Sequence, residues 1–264
     1  MYFNFENTAI HYKENGKGKA VVLLHGFLES SDMWGTYAKE LAKTFHVILI
    51  DLPGHGQSGF FSNSTTIDKM AEMVKALIDH LELSKVQMLG HSLGGYVSLS
   101  FAELYPEKLE SFILFHSTAY ADSDEVKAKR MLALEMLDKH PKLYIKMTLT
   151  RLFRPETIGN FEPEVDGLIE CALKVSPPFG GYAEAVKAMK TRPDRIHILK
   201  YDIPKYFIAG KFDPVISAES SKMQIENIKN GSGVFLEQAG HMGYIEEKEI
   251  ALKLITQFLN GDEV

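Results

Sequence analysis

The chain has 264 residues, of which 45% are hydrophobic and 24% charged. This composition is typical of a globular protein and excludes a disordered, collagen-like or coiled-coil chain. The 29 lysine and arginine residues stand against 35 acidic ones, which gives a net charge of −6. The basic residues form no stripe, so nucleic acid is not an expected partner.

A single cysteine and the shortness of the apolar runs bear on where the protein works. Cys171 cannot form an internal disulfide, and its apolar neighbours predict a buried, inert thiol on a helix. No basic segment followed by a long apolar one opens the chain, and no run approaches the roughly 20 residues that span a bilayer. We expect a cytoplasmic protein with no membrane partner.

The chain begins with a predicted antiparallel hairpin, Tyr2–Phe5 and Ala9–Lys13. Short apolar runs without alternation then recur, which is typical of strands buried on both faces of a parallel sheet. They are Ala20–Leu24, Val47–Ile50, Val86–Leu89, Phe112–Phe115, Tyr206–Ala209 and Val234–Leu236. Helical patterns between them predict an α/β fold, with a mostly parallel sheet flanked by helices.

Two of these helices have predicted ends. The helical spacing that starts at Ile67 is preceded by Thr65, which forms a predicted capping box with Asp68. The last helix is predicted to stop at Asn260-Gly261, because a glycine tolerates the left-handed conformation that ends many helices.

The stretch from about Thr118 to Lys200 carries no buried-strand signal. Its helical segments, rich in methionine and leucine, are interrupted by prolines, which favours several short helices. These prolines are Pro141, Pro155, Pro163, Pro177, Pro178 and Pro193. We predict a helical cap over 118–199, inserted into a core formed by 1–117 and 200–264.

The strongest chemical signal is Gly90-His91-Ser92-Leu93-Gly94-Gly95. It follows a predicted strand and opens a helical pattern, which is the context of a nucleophile elbow. The tight turn projects the serine hydroxyl out of the sheet, and side chains at the flanking glycines would clash with neighbouring backbone. Ser92 is therefore the predicted nucleophile.

A serine hydroxyl needs a general base, and two later loops supply the candidates. Asp213 and His241 each follow a predicted strand, in the order serine, acid, histidine that is expected after such an elbow. Both loops should lie at the carboxyl edge of the sheet. We predict that His241 is the base and that Asp213 orients it. Asp194 and Asp202 are weaker candidates, because they precede their strand.

An oxyanion hole would complete such a site. The backbone N–H of Leu93 is one predicted donor. The other lies in the loop after Ala20–Leu24, where Phe27 is better placed than Leu28. No metal-binding motif, phosphate loop or dinucleotide fingerprint occurs in the sequence, so we expect neither metal nor cofactor.

Together these motifs resemble those of the α/β-hydrolase fold family. The matching segments are His25-Gly26-Phe27, Asp51 to Ser58, Gly90 to Gly95, the Asp213 loop and Gly240-His241. The resemblance implies an eight-stranded core, a helical cap over the site, and Ser92, Asp213 and His241 as a triad. It also implies a structural role for Asp51 and His55 beside the oxyanion hole.

The serine at the elbow disfavours the haloalkane dehalogenases and epoxide hydrolases of this superfamily, which have aspartate there. We expect a cofactor-free carboxylesterase acting on a small-molecule ester. The alternatives are a carbon–carbon bond hydrolase or lactonase of the same fold, and a ligand receptor that has kept a slow triad. A ring-cleavage diketone carries a carboxylate and would need a cation facing the serine. The candidates are Arg130, Arg151, Arg154 and Lys190.

The cap is expected to roof the nucleophile and to enclose a short apolar pocket. Such a pocket favours acyl chains of about two to six carbons, since longer chains clash once it is full. The predicted pocket residues are Phe153, Phe179, Tyr182 and Met242.

Overall fold

A computed structural model describes residues 1–62, 65–175 and 179–262. Its strands are β1 (Tyr2–Phe5), β2 (Thr8–Asn15), β3 (Lys19–Leu24), β4 (Phe45–Ile50), β5 (Val86–His91), β6 (Leu109–Phe115), β7 (Lys205–Gly210) and β8 (Gly231–Leu236). They form one eight-stranded sheet in the order β1-β2-β4-β3-β5-β6-β7-β8. The first two strands are the predicted hairpin, and β2 runs antiparallel to β4. All later pairs are parallel, which confirms the predicted α/β fold.

Helices cover both faces of this sheet. Outside the segment between β6 and β7 they are α1 (Gly35–Leu41), α2 (Ile67–His80), α3 (Leu93–Leu104), α8 (Ala218–Ile225), α9 (Gly243–Glu246) and α10 (Lys248–Asn260). Successive strand residues point to opposite faces. Val22 and Leu24 of β3 therefore pack with α2 and α3, while Val21 and Leu23 pack with α1 and α10. Burial on both faces explains why the strands read as continuous apolar runs.

The ends of two helices test the sequence signals directly. Thr66 caps α2, since its side chain accepts a hydrogen bond from the Lys69 N–H at 3.0 Å. The capping box predicted for Thr65 was therefore wrong by one residue, and Asp68 instead bonds groups outside its helix. Thr65 and Thr66 have the same side chain, so the sequence cannot tell which of them is the capping residue. The backbone conformation at the start of the helix determines it. Gly261 ends α10 with φ of 85°, as predicted.

Between β6 and β7 the chain forms a helical insertion. It contains α4 (Asp124–Lys139), α5 (Pro141–Arg151), α6 (Glu162–Leu173) and α7 (Gly180–Thr191). Among the described residues from 118 to 200 there is no strand. Pro141 and Pro163 each stand in the first turn of a helix, where a missing N–H costs nothing. Pro177 and Pro178 lie outside the described residues, and the limits 118–199 for a separate cap stay a prediction.

Short 3₁₀ turns connect several of these elements, at Ser31–Trp34, Pro106–Lys108, Ile158–Phe161 and Ile196–Lys200. Cys171 lies on α6 and is half-buried rather than fully buried, with its Sγ 3.5 Å from the Ser30 Oγ. The sulfur lines a cavity between α6 and the core, which the apolar neighbours in sequence do not reveal. In the described part of the chain, no helix is both long and apolar enough to cross a membrane.

Candidate active site

Ser92 stands between the end of β5 and the start of α3, in a backbone conformation that side chains rarely adopt. Its φ is 48° and its ψ is −109°, so the strand-to-helix turn is strained and tight. A Cβ on Gly90 would lie 2.4 Å from the Gly94 oxygen, and one on Gly94 would lie 2.3 Å from the Leu24 oxygen. The glycines around the serine are therefore required by the close approach of neighbouring backbone.

The three residues predicted as a triad form one hydrogen-bonded line. The Ser92 Oγ is 2.9 Å from the His241 Nε2, and the His241 Nδ1 is 2.7 Å from the Asp213 Oδ2. The other carboxylate oxygen of Asp213 accepts hydrogen bonds from the backbone N–H groups of Val215 and Ile216, at 2.8 and 3.0 Å. The histidine and aspartate side chains are both buried. This arrangement lets the imidazole take a proton from the hydroxyl while its tautomer is fixed.

A second histidine shares the Asp213 carboxylate. His116 directly follows β6, and its Nδ1 is 3.2 Å from the Asp213 Oδ2. Burial lowers the pKa of His116 to about 4, so it is neutral at pH 7 and donates its Nδ1–H. Burial would raise the pKa of Asp213, but its electrostatic interaction with the His241 imidazole and hydrogen bonds from both histidines hold it well below its usual range. Asp194 lies elsewhere and bonds the Ile196 N–H.

The His241 loop is fixed from two sides. The His241 N–H donates to the Leu152 oxygen at 2.7 Å, at the end of the insertion helix α5. The Glu246 carboxylate accepts hydrogen bonds from the N–H groups of Gly240 and Arg154, at 2.9 and 2.8 Å. His241 is therefore positioned by the insertion and by the core together.

The loop after β3 presents backbone donors beside the serine. Within the described residues, neither the Phe27 N–H nor the Leu93 N–H has a protein acceptor. His25 anchors this loop, because its Nδ1–H donates to the Gly26 oxygen at 2.7 Å and its Nε2 accepts from the Leu52 N–H at 2.9 Å. Burial lowers the pKa of His25, which agrees with this neutral tautomer. The arrangement leaves these two N–H groups without an acceptor among the described residues.

Asp51 and His55 lie behind that loop and contact it and the neighbouring turns. Asp51 accepts hydrogen bonds from the N–H groups of Ser31 and Gln57, at 2.7 and 2.9 Å. The buried His55 ring packs with its centroid 5.8 Å from that of Phe27. Burial lowers the pKa of His55 to about 3, so the ring is neutral. These contacts are those of residues that hold the loop.

A buried ion pair lies under the oxyanion loop. The Glu29 carboxylate accepts hydrogen bonds from the Gly26 N–H at 2.6 Å, the His91 Nδ1 at 2.9 Å and the Tyr244 hydroxyl at 2.8 Å. The His91 Nε2 is 3.0 Å from the backbone oxygen of His241. Both ring nitrogens face oxygen acceptors, so both donate and His91 is an imidazolium. The pair links the oxyanion loop, the elbow and the base loop.

Each member of this pair stabilises the charged form of the other. Burial alone would raise the pKa of Glu29, but the charge and hydrogen bond of His91 lower it to about 2. Burial would likewise lower the pKa of His91, yet the Glu29 carboxylate raises it. Glu29 and Tyr244 were not predicted from the sequence, since they are 215 positions apart and belong to no spaced motif. Only His91, inside the elbow, could have drawn attention.

Ser92 opens into a cavity of about 100 Å³. Besides the serine, its lining residues are Phe27, Glu29, His91, Tyr96, Arg130, Tyr144, Thr148, Leu152, Met189, Val215 and His241. A second cavity, of about 400 Å³, lies on the other side of Glu29 and is lined among others by Leu28, Ser30, Glu164, Cys171 and Tyr244. Of the four cations considered from the sequence, Arg130 lines the serine's cavity.

The predicted pocket residues need correction, because none of them lines the cavity of the serine. Phe153 and Met242 are fully buried in the core on one face of the sheet. Tyr182 is also buried and donates its hydroxyl proton to the Ala172 oxygen at 3.0 Å. The half-buried Phe179, at the start of α7, packs on the core of the opposite face, to which Tyr182 belongs. The apolar surface of Phe153, Tyr182 and Met242 is covered by the protein itself, so it is not available to a substrate.

Three of the polar side chains also have the spacing of metal ligands. Ligand atoms of His116, Asp213 and His241 lie within 4.8 Å of one another. In this protein those nitrogens and the shared carboxylate oxygen are joined by the hydrogen bonds described above, which account for their closeness.

Similarity to known proteins agrees with the fold. Residues 19–142 match a family described as the alpha/beta hydrolase fold. A putative esterase/lipase of Haemophilus influenzae is 25% identical over 248 residues, covering 91% of this chain and 83% of its own. A 2-hydroxy-6-oxononadienedioate/2-hydroxy-6-oxononatrienedioate hydrolase of Pseudomonas putida is 24% identical over 260 residues, covering 95% and 91%.

Solved structures are also similar to this protein. A thermophilic esterase from Thermogutta terrifontis, with malate bound, has a TM-score of 0.89 and 29% identity, covering 96% of this chain and 94% of that one. The sheet order, the elbow and these relatives define a hydrolase of the α/β fold. The chain has the α/β-hydrolase fold, and its residues 19–142 match the model of that family.

Proposed function

We propose that this protein is a serine carboxylesterase that cleaves small esters through an acyl-enzyme. The observation that carries the proposal is the line from the Ser92 Oγ through His241 to Asp213, with bonds of 2.9 and 2.7 Å. Beside it lie the two N–H groups of Phe27 and Leu93, which have no acceptor among the described residues. Nucleophile, base, orienting acid and oxyanion donors are the parts that acyl transfer requires.

The reaction follows from these positions. The His241 Nε2 takes the hydroxyl proton as the Ser92 Oγ attacks the ester carbonyl carbon. The carbonyl oxygen becomes an oxyanion, which the Phe27 and Leu93 N–H groups stabilise. His241 then returns the proton to the leaving alcohol, and the acyl group stays on the serine. Water, activated by the same imidazole, releases the acid and restores the enzyme.

The helical insertion acts as a cap in this proposal. Tyr144 and Thr148 from α5 and Met189 from α7 line the cavity opposite the serine, so the insertion closes it. A cavity of about 100 Å³ accommodates a short acyl group and excludes a long one.

The experiment is active-site labelling combined with turnover. A fluorophosphonate probe should label the wild-type protein at Ser92 and leave Ser92→Ala unlabelled. The same variant should lose about 10³-fold or more in kcat on p-nitrophenyl acetate, because nucleophile and base act as one unit. Ser98→Ala is the matched control, since this buried α3 serine bonds only the Gly94 oxygen. Labelling at any other serine would contradict the proposal.

A carbon–carbon bond hydrolase is the second candidate, and one observation favours it. Arg130 lines the cavity of Ser92, where a cleavable diketone would place its carboxylate. Adding lactones and a carboxylate-bearing vinylogous diketone to the substrate panel separates the two candidates by relative kcat/KM. A ligand receptor with a slow triad would instead stall on the acyl-enzyme after a few cycles.

A further inference from the structure

The guanidinium of Arg130 is the one cationic side chain in the described lining of the serine's cavity that belongs to the insertion. The side chain projects from α4 and is 18% exposed. Its Nε donates to the Asp122 Oδ2 at 3.1 Å. No other hydrogen bond of this guanidinium occurs within the described residues. Its two terminal NH₂ groups therefore have no protein acceptor there.

The carboxylate that Arg130 contacts already serves another guanidinium. The Arg192 Nη1 is 2.6 Å from the Asp122 Oδ1, and the Nη2 donates to the Tyr120 oxygen at 3.0 Å. Arg192 also lies 3.9 Å above the ring of Tyr96. Arg192 is thus fully engaged, and a single carboxylate faces two guanidinium groups. Among the described residues, the cluster carries one positive charge that no contacting side chain neutralises.

The described lining of the cavity supplies no free negative charge. Glu29 lines it, but its carboxylate is paired with the His91 imidazolium and accepts hydrogen bonds from Gly26 and Tyr244. A charge withdrawn from water is costly unless an opposite charge reaches it. The unmatched guanidinium therefore points to a ligand that brings an anion into this cavity.

We propose that Arg130 binds a carboxylate on the substrate, so that the preferred substrate is an ester carrying a free acid group. This inference rests on the proposed esterase function. The planar guanidinium offers two parallel N–H donors that match a carboxylate, which a lone ammonium does not. The Tyr96, Tyr144 and Thr148 side chains also line the cavity and bring further hydroxyl groups to it.

Two pairs of isosteric esters test the proposal and locate the acid group. Monomethyl succinate and methyl 4-methylpentanoate differ in a carboxylate against an isopropyl group on the acyl side. Acetoxyacetate and isobutyl acetate make the same exchange on the alcohol side. Initial rates in a pH-stat give kcat/KM for each ester. We expect the wild type to prefer the anionic member of at least one pair by about tenfold or more.

The variants assign that preference to one side chain. In Arg130→Met the ratio of anionic to neutral kcat/KM should fall about 10- to 100-fold, since a charge-assisted contact is lost. Arg130→Lys should retain part of the ratio. Arg151→Met removes the same charge from an exposed position at the end of α5 and should keep the wild-type ratio. Asp122 keeps its Arg192 partner in Arg130→Met, so folding should survive, and a melting curve checks this.

The outcomes separate this inference from the function on which it rests. Hydrolysis of the neutral esters without any Arg130-dependent preference would overturn the inference and leave the esterase proposal intact. If the wild type hydrolyses none of these esters, the esterase proposal fails. Calorimetric titration with succinate then decides the anion site. Binding by the wild type and Arg151→Met, but not by Arg130→Met, supports it, and no binding by the wild type overturns it.

Discussion

The candidate triad lies on loops that directly follow strands, whereas Arg130 and Tyr144 project from helices of the insertion. Both regions line the same cavity, but they are held in different ways. At the sheet edge, strained backbone and buried charges fix each side chain, as at Ser92 and Asp213. In the insertion, the guanidinium of Arg130 is held by one shared carboxylate.

Under the proposed function, this difference separates the reacting groups at the sheet edge from the groups of the insertion that select the substrate. Proton transfer tolerates little misplacement, so the reacting groups belong on the part of the fold with the fewest alternative conformations. Substrate recognition can vary with the side chains of an inserted segment while the sheet edge stays the same. Substitutions at the edge should therefore abolish the reaction, and substitutions in the insertion should redirect it.

The largest effect is expected at the acid of the sheet edge. In Asp213→Asn the amide can stabilise the wrong imidazole tautomer, so kcat should fall about 10⁴-fold while the fold is kept. Steady-state rates on p-nitrophenyl acetate and a circular dichroism spectrum measure the two quantities. Asp202→Asn serves as control, because that residue precedes β7 and lies outside the line of hydrogen bonds. Near-normal kcat in Asp213→Asn would remove this aspartate from the mechanism.

The next effect concerns the buried pair that joins three loops of the edge. Glu29→Gln leaves the His91 imidazolium without its counter-ion, and breaking such a pair costs about 3–5 kcal/mol of unfolding free energy. Glu14→Gln is the control. Glu14 also contacts a histidine, with its carboxylate 2.7 Å from the His46 Nε2, but both side chains are 22–25% exposed. An exposed pair contributes about 1 kcal/mol or less.

The stabilisation that the Glu29–His91 pair gives depends on pH, in a direction set by the two pKa shifts. The pKa of Glu29 is lowered from 4.5 to about 2, so its stabilisation is present above 4.5 and lost as the pH falls towards 2. The pKa of His91 is raised from 6.5, so its stabilisation is present below 6.5 and lost as the pH rises through the raised value. Urea unfolding of wild type and Glu29→Gln should differ most between about pH 4.5 and 6.5. A difference independent of pH would mean that the pair is not ionised.

A smaller effect is expected where the insertion meets the acyl chain. Activity on p-nitrophenyl esters should peak at about two to six carbons and fall for longer chains. Met189 lines the cavity, so Met189→Ala should move this optimum to longer chains. Phe153 is buried in the core, so Phe153→Ala should cost about 3–5 kcal/mol of stability without moving the optimum. A steady rise of kcat/KM to palmitate in the wild type would contradict a closed cavity.

The same contrast explains what the sequence could predict. The strands and the turn at the sheet edge can be recognised from short stretches of sequence. A buried parallel strand is a continuous apolar run, and an elbow needs glycines around Ser92. The fold and the approach of Ser92, Asp213 and His241 follow from those signals. The Glu29–Tyr244 hydrogen bond has no such signal, since its partners meet only after the chain has folded.

Within the insertion, the sequence distinguishes apolar from polar residues but not covered from open ones. Phe153 and Tyr182 have the composition of a pocket wall, yet neighbouring helices and core bury them completely. The sequence does not distinguish Arg130 from the three other candidate cations, and its position in the cavity follows from the fold. Selectivity residues lie on helix faces whose direction depends on tertiary packing, which a pattern of single residues does not encode.

The smallest expected effect compares equivalent helix caps in the two regions. Thr66 caps α2 of the core by accepting from the Lys69 N–H at 3.0 Å, and Ser123 caps α4 of the insertion by accepting from the Val126 N–H at 3.3 Å. Replacing either residue by alanine should lower the free energy of unfolding by about 1 kcal/mol. Urea titration followed by circular dichroism measures both losses.

The two cap variants should differ in what they do to catalysis. Thr66 is not part of the cavity lining, so Thr66→Ala should leave kcat/KM unchanged on every ester. Ser123 directly precedes α4 and follows Asp122, whose carboxylate holds the Arg130 guanidinium. Fraying the first turn of α4 loosens that carboxylate, so Ser123→Ala should raise KM for monomethyl succinate by a factor of about two to five, with kcat retained. Equal effects of both variants on catalysis would mean that selectivity does not reside in the insertion. The proposed division between reacting groups at the sheet edge and selecting groups in the insertion would then be wrong.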